Sequence, residues 1–288
     1  MQKNPAQKLR TVLLYSAGHL GSATVFNRLV DSEEFDIVAV VKARAVPFSR
    51  KGARKLRRHL RKIGWRFGWL LFWQSVVQGL AFYLLRLIPV AGKRLAPGWA
   101  LAYRRGIPIH RCRSINDEET LRFIASLEPD VLVSAYFTQI LRKPAIEVPR
   151  LGVLNVHPGW LPAYRGAMVY FWVLKNGEDR GGVTVHWIDE GIDTGAILAR
   201  RAFRIRRGWT QHKVLVMTAV IGSHLLRRVG RVLAAGQEPE PLAVPREERE
   251  AYYAMPQGED FDAYFRRRRF FRIRDMFGYI WRRIRRRG

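Results

Sequence analysis

Residues 11–42 read TVLLYSAGHLGSATVFNRLVDSEEFDIVAVVK. Thr11 to Ser16 is a short apolar run of strand length, bounded by a glycine-containing turn. The turn Ala17-Gly18-His19-Leu20-Gly21 leads into a helical pattern that reaches about Val30, and Asp36 to Lys42 reads as a second strand. Strand, helix, strand is the opening of a doubly wound, mostly parallel α/β sheet, here of Rossmann-like type. Gly18 and Gly21 either receive a phosphate or folate edge at the helix N-terminus or only permit the tight turn.

Outward from this unit the alternation stops at residue 46 and resumes near residue 98. Ile107 to Arg111 reads as a strand, Asp117 to Ser126 as a helix, and Val131 to Ala135 and Gly152 to Val156 as strands. Met168 to Lys175 is helical. Gly182 to Ile188 alternates as a strand, with Ala196 to Ile205 as its partner, and a long helix follows from Thr210 to Ala235. Gln237 to Pro245 reads as a linker. A 48% hydrophobic composition excludes a disordered or collagen-like chain. The single cysteine, Cys112, excludes an intramolecular disulfide framework and is read as an inert small side chain.

The net charge is +27, which calls for an anionic partner, a membrane surface or a nucleic acid. That charge is local. Residues 42–66 hold eleven Lys or Arg and no acid, and residues 266–288 hold eleven Arg with one acid, Asp275. Between Arg66 and Arg86 lie nineteen uncharged residues, FGWLLFWQSVVQGLAFYLL, close to a spanning length. Gln74, Ser75 and Gln78 sit near the middle, and Trp65, Trp69 and Trp73 share one helical face. A single crossing would put two halves of one sheet on opposite sides of a bilayer and leave open edges. Residues 46–98 are therefore expected to form a basic and apolar helical insertion, lying in the plane of the membrane or re-entering on one face. The C-terminal stretch from Phe261 to Ile284 is expected to be a basic amphipathic helix suited to anionic lipid, with a helix packed on the domain behind a solvated Arg face and an RNA-binding arm as the alternatives. No secretory signal is visible at the N-terminus, so the body is expected on the cytoplasmic side, held peripherally or monotopically at the inner membrane face.

The chemistry is carried by residues 152–195. Asn155 and His157 are one residue apart at a strand end, so the two-residue period places both side chains on one face. Asp193 follows in the loop Gly191-Ile192-Asp193-Thr194-Gly195. An Asn amide donates to an oxyanion without carrying charge. A His moves protons near neutral pH, and an Asp beside it favours the imidazolium. No metal-ligand cluster or nucleophile elbow accompanies them, which favours direct transfer through a tetrahedral intermediate over a covalent enzyme intermediate. His186, within an alternating strand, is read as structural. Arg165 either faces substrate or braces its loop.

These residues resemble the 10-formyltetrahydrofolate-dependent formyltransferases, the group that includes glycinamide ribonucleotide, methionyl-tRNA and amino-sugar formyltransferases. The matching pieces are Asn155-Val156-His157-Pro158, Leu161-Pro162-x-Tyr164-Arg165-Gly166, and Gly182 to His186 leading to Asp189-Glu190-Gly191-Ile192-Asp193-Thr194-Gly195. The resemblance covers residues 10–45 and 105–235. It implies that Asn155, His157 and Asp193 are the catalytic set. It also implies that 10-formyltetrahydrofolate is the co-substrate, contacted by Tyr136, Ile140 and Asp189. Residues 1–235 would then be the formyltransferase domain, interrupted by the insertion, and residues 236–288 a linker with the basic C-terminal segment. The implied function is N-formyl transfer to an amine on an amino sugar, a lipid-linked sugar or an aminolipid at the membrane surface. A methionyl-tRNA formyltransferase-like enzyme, a formyltetrahydrofolate hydrolase and a non-enzymatic folate- or membrane-binding protein are the alternatives. The chain departs from the family at Gly159-Trp160, where a Ser usually follows His-Pro, and no OB-fold sequence follows Ala235.

Overall fold

The computed structural model describes residues 7–16, 19–43 and 98–267, with Arg272 and Asp275. The expected insertion, except its last residue, and the expected tail beyond residue 267, except those two positions, lie outside the described residues. The chain opens with β1 (Leu9–Ser16), α1 (Leu20–Leu29) and β2 (Phe35–Ala43). After α2 (Gly98–Arg104) come β3 (Ile109–Cys112), α3 (Glu118–Ala125), β4 (Val131–Ala135), α4 (Lys143–Ile146) and β5 (Gly152–His157). Then follow the two-residue β6 (Arg165–Gly166), α5 (Val169–Lys175), β7 (Arg180–Trp187), β8 (Ile197–Arg204) and α6 (Gln211–Ala234). The short β9 (Tyr252–Tyr253) and α7 (Gly258–Arg267) complete the described chain.

Seven strands form one sheet in the order β3-β2-β1-β4-β5-β7-β8. The first five are parallel, and β7 and β8 add an antiparallel edge. The doubly wound α/β expectation is met. Strand order reverses between β1 and β4, and the crevice outside the carboxyl ends of such strands is where open α/β sheets bind ligands. In register, Leu14 of β1 pairs with Ser134 of β4, which pairs with Asn155 of β5. Asn155 therefore stands at the carboxyl edge beside that crevice.

One apolar layer buries Phe26, Leu29, Leu215, Ala219 and Leu226 from α1 and α6 against the sheet. The other buries Ile115, Ile124 and Ala145 against Val12 and Leu14. Helix α6 starts at Thr210, whose hydroxyl accepts from the Lys213 amide at 3.2 Å. It lies directly on the site strand. A Cβ at Gly222 would stand 2.2 Å from Val156 Cγ1 and 3.2 Å from Val183 Cγ1. Both neighbours are β-branched and stiff. Gly222→Ala therefore destabilises by about 1–2 kcal/mol net, the overpacking outweighing the helix propensity gained. Thermal denaturation of the variant reads this, and an unchanged or raised midpoint would contradict the close approach of α6 to β5.

The boundary expected at residue 235 is not a break in packing. Helix α7 buries Phe261 and Tyr264, and both rings lie 4.9 Å from the ring of Phe171 on α5. These two side chains, expected on a lipid-facing stripe, belong to the core instead. An amphipathic helix buries its apolar stripe against whatever apolar surface is adjacent, and here that surface is α5. Among the described residues no helix is long and apolar enough to cross a membrane.

Candidate active site

Strand β5 pairs antiparallel with β7, so Asn155 lies opposite His186 and His157 opposite Thr184. Residues directly opposite share a face. Asn155, His157 and His186 therefore form one polar cluster on an otherwise apolar sheet. His157 is 3% exposed and His186 1%. The Asp193 loop closes over them. Asp193 Oδ1 lies 3.4 Å from His157 Nδ1 and 3.7 Å from His186 Nε2. The three residues expected to be catalytic are thus brought together, and His186 joins them.

The two imidazoles have opposite roles. His157 Nε2–H donates to the Tyr164 carbonyl at 2.6 Å, which leaves Nδ1 facing Asp193. Burial pushes the His157 pKa down. The Asp193 charge, its hydrogen bond and the Tyr164 carbonyl more than offset this, and the pKa ends above its ordinary 6.5. His186 Nδ1–H donates to the Trp187 carbonyl at 2.7 Å, and Nε2 accepts from the Asn155 amide at 3.0 Å. Burial, then the neighbouring His157 charge, lower its pKa to about 4, so it stays neutral. Neutral His186 thereby fixes which way the Asn155 amide points and leaves the second amide hydrogen uncommitted. Burial alone would raise the Asp193 pKa. His157 and the Gly166 amide, which donates to Oδ2 at 2.8 Å, hold it well below the usual carboxylate range.

Local geometry explains why these sequences fold this way. A Cβ at Gly159 would stand 2.8 Å from His157 Nε2 and 2.9 Å from the Tyr164 carbonyl, so the position after Pro158 has no room for a side chain. The Thr184 hydroxyl donates to the Gly159 carbonyl at 2.8 Å and accepts from the Leu161 amide at 3.2 Å. Trp160 is held from outside. Arg200 lies 4.3 Å over its ring, Glu248 accepts from its indole nitrogen, and Arg200 meets both Glu248 oxygens at 2.8 and 2.9 Å. Strand β9 pairs with β6, and Tyr253 stacks on Tyr164 at 4.9 Å. The stretch read as a linker is followed, from Glu248 to Tyr253, by a strap over the loop that supplies the Tyr164 carbonyl and the Gly166 amide. Arg165 bonds the Ile192 carbonyl at 3.0 Å and pairs with Glu250, which makes it a loop brace in this state.

The residues expected at the co-substrate fare differently. Asp189 Oδ1 accepts from the Gly191 amide at 3.1 Å and from Thr194 Oγ1 at 2.6 Å, so its side chain folds the Asp193 loop. Ile140 is 67% exposed beyond β4, open to a ligand. Tyr136 lies further inward. Its backbone takes φ 56°, its ring is buried and stacks on His19 at 5.0 Å, and its hydroxyl meets Thr218 Oγ1 at 2.7 Å. A left-handed residue just past β4 turns the side chain under α1 and α6 instead of toward the crevice. Among the described residues no cluster of His, Cys, Asp or Glu could hold a metal ion.

Residues 94–229 match the family model described as formyl transferase. That segment is similar to formyl transferase domains. The methionyl-tRNA formyltransferase of Clostridioides difficile is 37% identical over 153 residues, covering 52% of this chain and 50% of that protein. That of Syntrophus aciditrophicus is 39% identical over 155 residues, covering 54% and 49%. The chain thus spans about half the length of these curated relatives. Among solved structures, the glycinamide ribonucleotide transformylase 1 of Symbiobacterium toebii superposes with a TM-score of 0.54 at 16% identity, covering 80% of this chain and 89% of that one. An N-formyltransferase of Helicobacter canadensis, solved with folinic acid and dTDP-3-aminofucose, gives 0.53 at 16%, covering 86% and 71%. At such identities the likeness is one of fold, and this chain carries that fold with Asn155, His157 and Asp193 at its carboxyl edge.

Proposed function

We propose that the protein transfers a formyl group from 10-formyltetrahydrofolate to an acceptor amine. The observation that carries this is the convergence of Asn155, His157 and Asp193, with His157 buried and its protonated form favoured. The donor set fits such a co-substrate. It offers one uncommitted amide hydrogen, an imidazolium and a carboxylate, and the nearby His19 Nδ1 is a buried polar atom without a hydrogen-bond partner. When bound, the formyl-folate supplies an activated one-carbon acyl group. Asn155 offers its second amide hydrogen to the oxygen that gains charge. Imidazolium His157 adds positive charge there. In this state both of its ring nitrogens face protein oxygens, so it acts first through charge rather than as a direct donor. Asp193 holds the proton on His157 and passes the one released by the amine on to the departing folate nitrogen, so that the C–N bond formed to the amine is balanced by the one broken to the donor.

For the acceptor, the basic and Trp-rich composition of residues 42–88 supports an amine held at a membrane surface, on an amino sugar, a lipid-linked sugar or an aminolipid. The second reading is an aminoacyl-tRNA acceptor, favoured by the similarity to methionyl-tRNA formyltransferases. A tetrahydrofolate-release assay over amino sugars, aminolipids and charged initiator tRNA separates them. Release dependent on one amine class identifies the acceptor. Release at full rate with water alone makes the protein a hydrolase, and no release with any partner removes the proposal.

A further inference from the structure

We propose that the outer face of the α2-α1-α6 helix layer lies on an anionic lipid bilayer and sets the site edge of the sheet against it. The three helices cover the same side of the sheet, and α1 packs between the other two. At one end of the layer, α2 exposes Trp99 by 52% and Tyr103 by 85%. They are four residues apart and share a helical face. Trp and Tyr combine an apolar body with a polar tip and favour the headgroup region. At the other end, cations converge. Arg28 of α1 lies 3.2 Å from His224 Nε2 of α6. Burial, and then Arg28, Arg227 and Arg201, lower the His224 pKa, so α1, α6 and the edge strand β8 direct guanidinium groups at one spot. Arg104, Arg201 and Arg228 make no ion pair among the described residues. The acids at this end are Asp31, paired with Arg105, Glu34, buried beneath Arg227 and Arg231, and Glu33.

Clustered like charge is costly unless an opposite surface meets it. A second copy of the same face would add to the repulsion, which disfavours a self-interface. A bilayer of anionic lipid answers both ends of the layer, headgroups for the arginines and the interface for Trp99 and Tyr103. In sequence, the uncharged run of residues 67–85, with Trp69 and Trp73, ends twelve residues before α2. The orientation has a use. The Gly98 amide bonds the Tyr15 hydroxyl at 3.0 Å, so Trp99 stands at the carboxyl edge of β1, the edge that carries Asn155 and His157. A membrane along this face brings a lipid-borne amine to the level of the site. The inference rests on the lipid-borne acceptor reading only for that purpose.

Cys112 is buried, so an introduced cysteine is the accessible thiol. Full-length Tyr103→Cys, His224→Cys and Arg122→Cys are labelled with an environment-sensitive fluorophore. Arg122 is the control, on α3 at the opposite side of the sheet. With phosphatidylcholine vesicles containing phosphatidylglycerol, labels at 103 and 224 shift to the blue and brighten, and the label at 122 does not. Arg201→Glu and Arg228→Glu each lower partitioning onto these vesicles by about fivefold. If the protein sediments with vesicles while labels 103 and 224 stay silent, this face is wrong and another part of the chain binds. If it sediments with neither vesicle type, the membrane partner falls altogether. If labels 103 and 224 respond to transfer RNA and not to vesicles, the face binds nucleic acid and the proposal is overturned. Tetrahydrofolate release by the labelled proteins with a soluble amine reads formyl transfer separately.

Discussion

Asp193→Asn lowers kcat by about a thousandfold, on the scale expected when a charged partner of an acid–base group and its proton acceptor are lost together. The substitution keeps an oxygen for the Gly166 amide, so the loop retains its anchor and the protein stays folded. The charge disappears, and an amide donor replaces the oxygen that faced His157 Nδ1. Asp193 is what offsets the burial of His157, so without it the His157 pKa falls. The sign of the pH effect follows. If the protonated form works, wild-type kcat declines as pH rises through a raised pKa, above 6.5, and in the variant that decline moves to lower pH. Single-turnover rates across pH, with circular dichroism as the folding control, test both parts. An unimpaired variant, or one with an unmoved alkaline limb, would remove Asp193 from the mechanism.

The second large effect is acid destabilisation. His186 and His212 are buried, and burial is the leading cause that lowers each pKa from 6.5 to about 4. A folded pKa below the unfolded one gives stability that is present above the unfolded value and lost as pH falls toward the folded value. Stability therefore drops between pH 6.5 and about 4. At pH 5 each of these histidines costs about 2 kcal/mol relative to a neutral reference. His157 has the opposite sign. Its raised pKa contributes fully below 6.5, and that contribution is lost as pH rises through the folded value. Asp193, held low, contributes above its ordinary 3.8 and loses this only in stronger acid. Denaturant unfolding at pH 7 and pH 5 should differ by about 4 kcal/mol from His186 and His212, and by more once His19, whose pKa burial also lowers to about 4, is included. Equal stability at the two pH values would mean that these histidines are not held neutral.

How much of this was legible depends on the range of the signal. The β1-α1-β2 opening, the strand at Gly152 and the long α6 were readable because apolar periodicity is local. Asn155 and His157 on one face follow from the strand period alone. The part played by His186 did not. It depends on β7 pairing with β5 in the register that sets it opposite Asn155, and strand register is a long-range property. The resemblance names Tyr136 as a co-substrate contact, and the burial of its ring at a left-handed backbone position is a tertiary fact that no local pattern carries. Residues 248–253 carry no element in the sequence reading, since a two-residue strand and a handful of side-chain contacts leave no periodic trace.

The sequence by itself determined the sheet class, the location of the charge and the choice of Asn155, His157 and Asp193 as the candidate set, because each is written in nearest-neighbour pattern or residue type. Only the tertiary structure decided which imidazole is charged. His157 and His186 are the same residue type, both buried, and both near Asp193. They part company because one faces a carbonyl and a carboxylate while the other gives its acceptor nitrogen to an amide, and the electrostatics of partners assembled from distant segments sets that outcome.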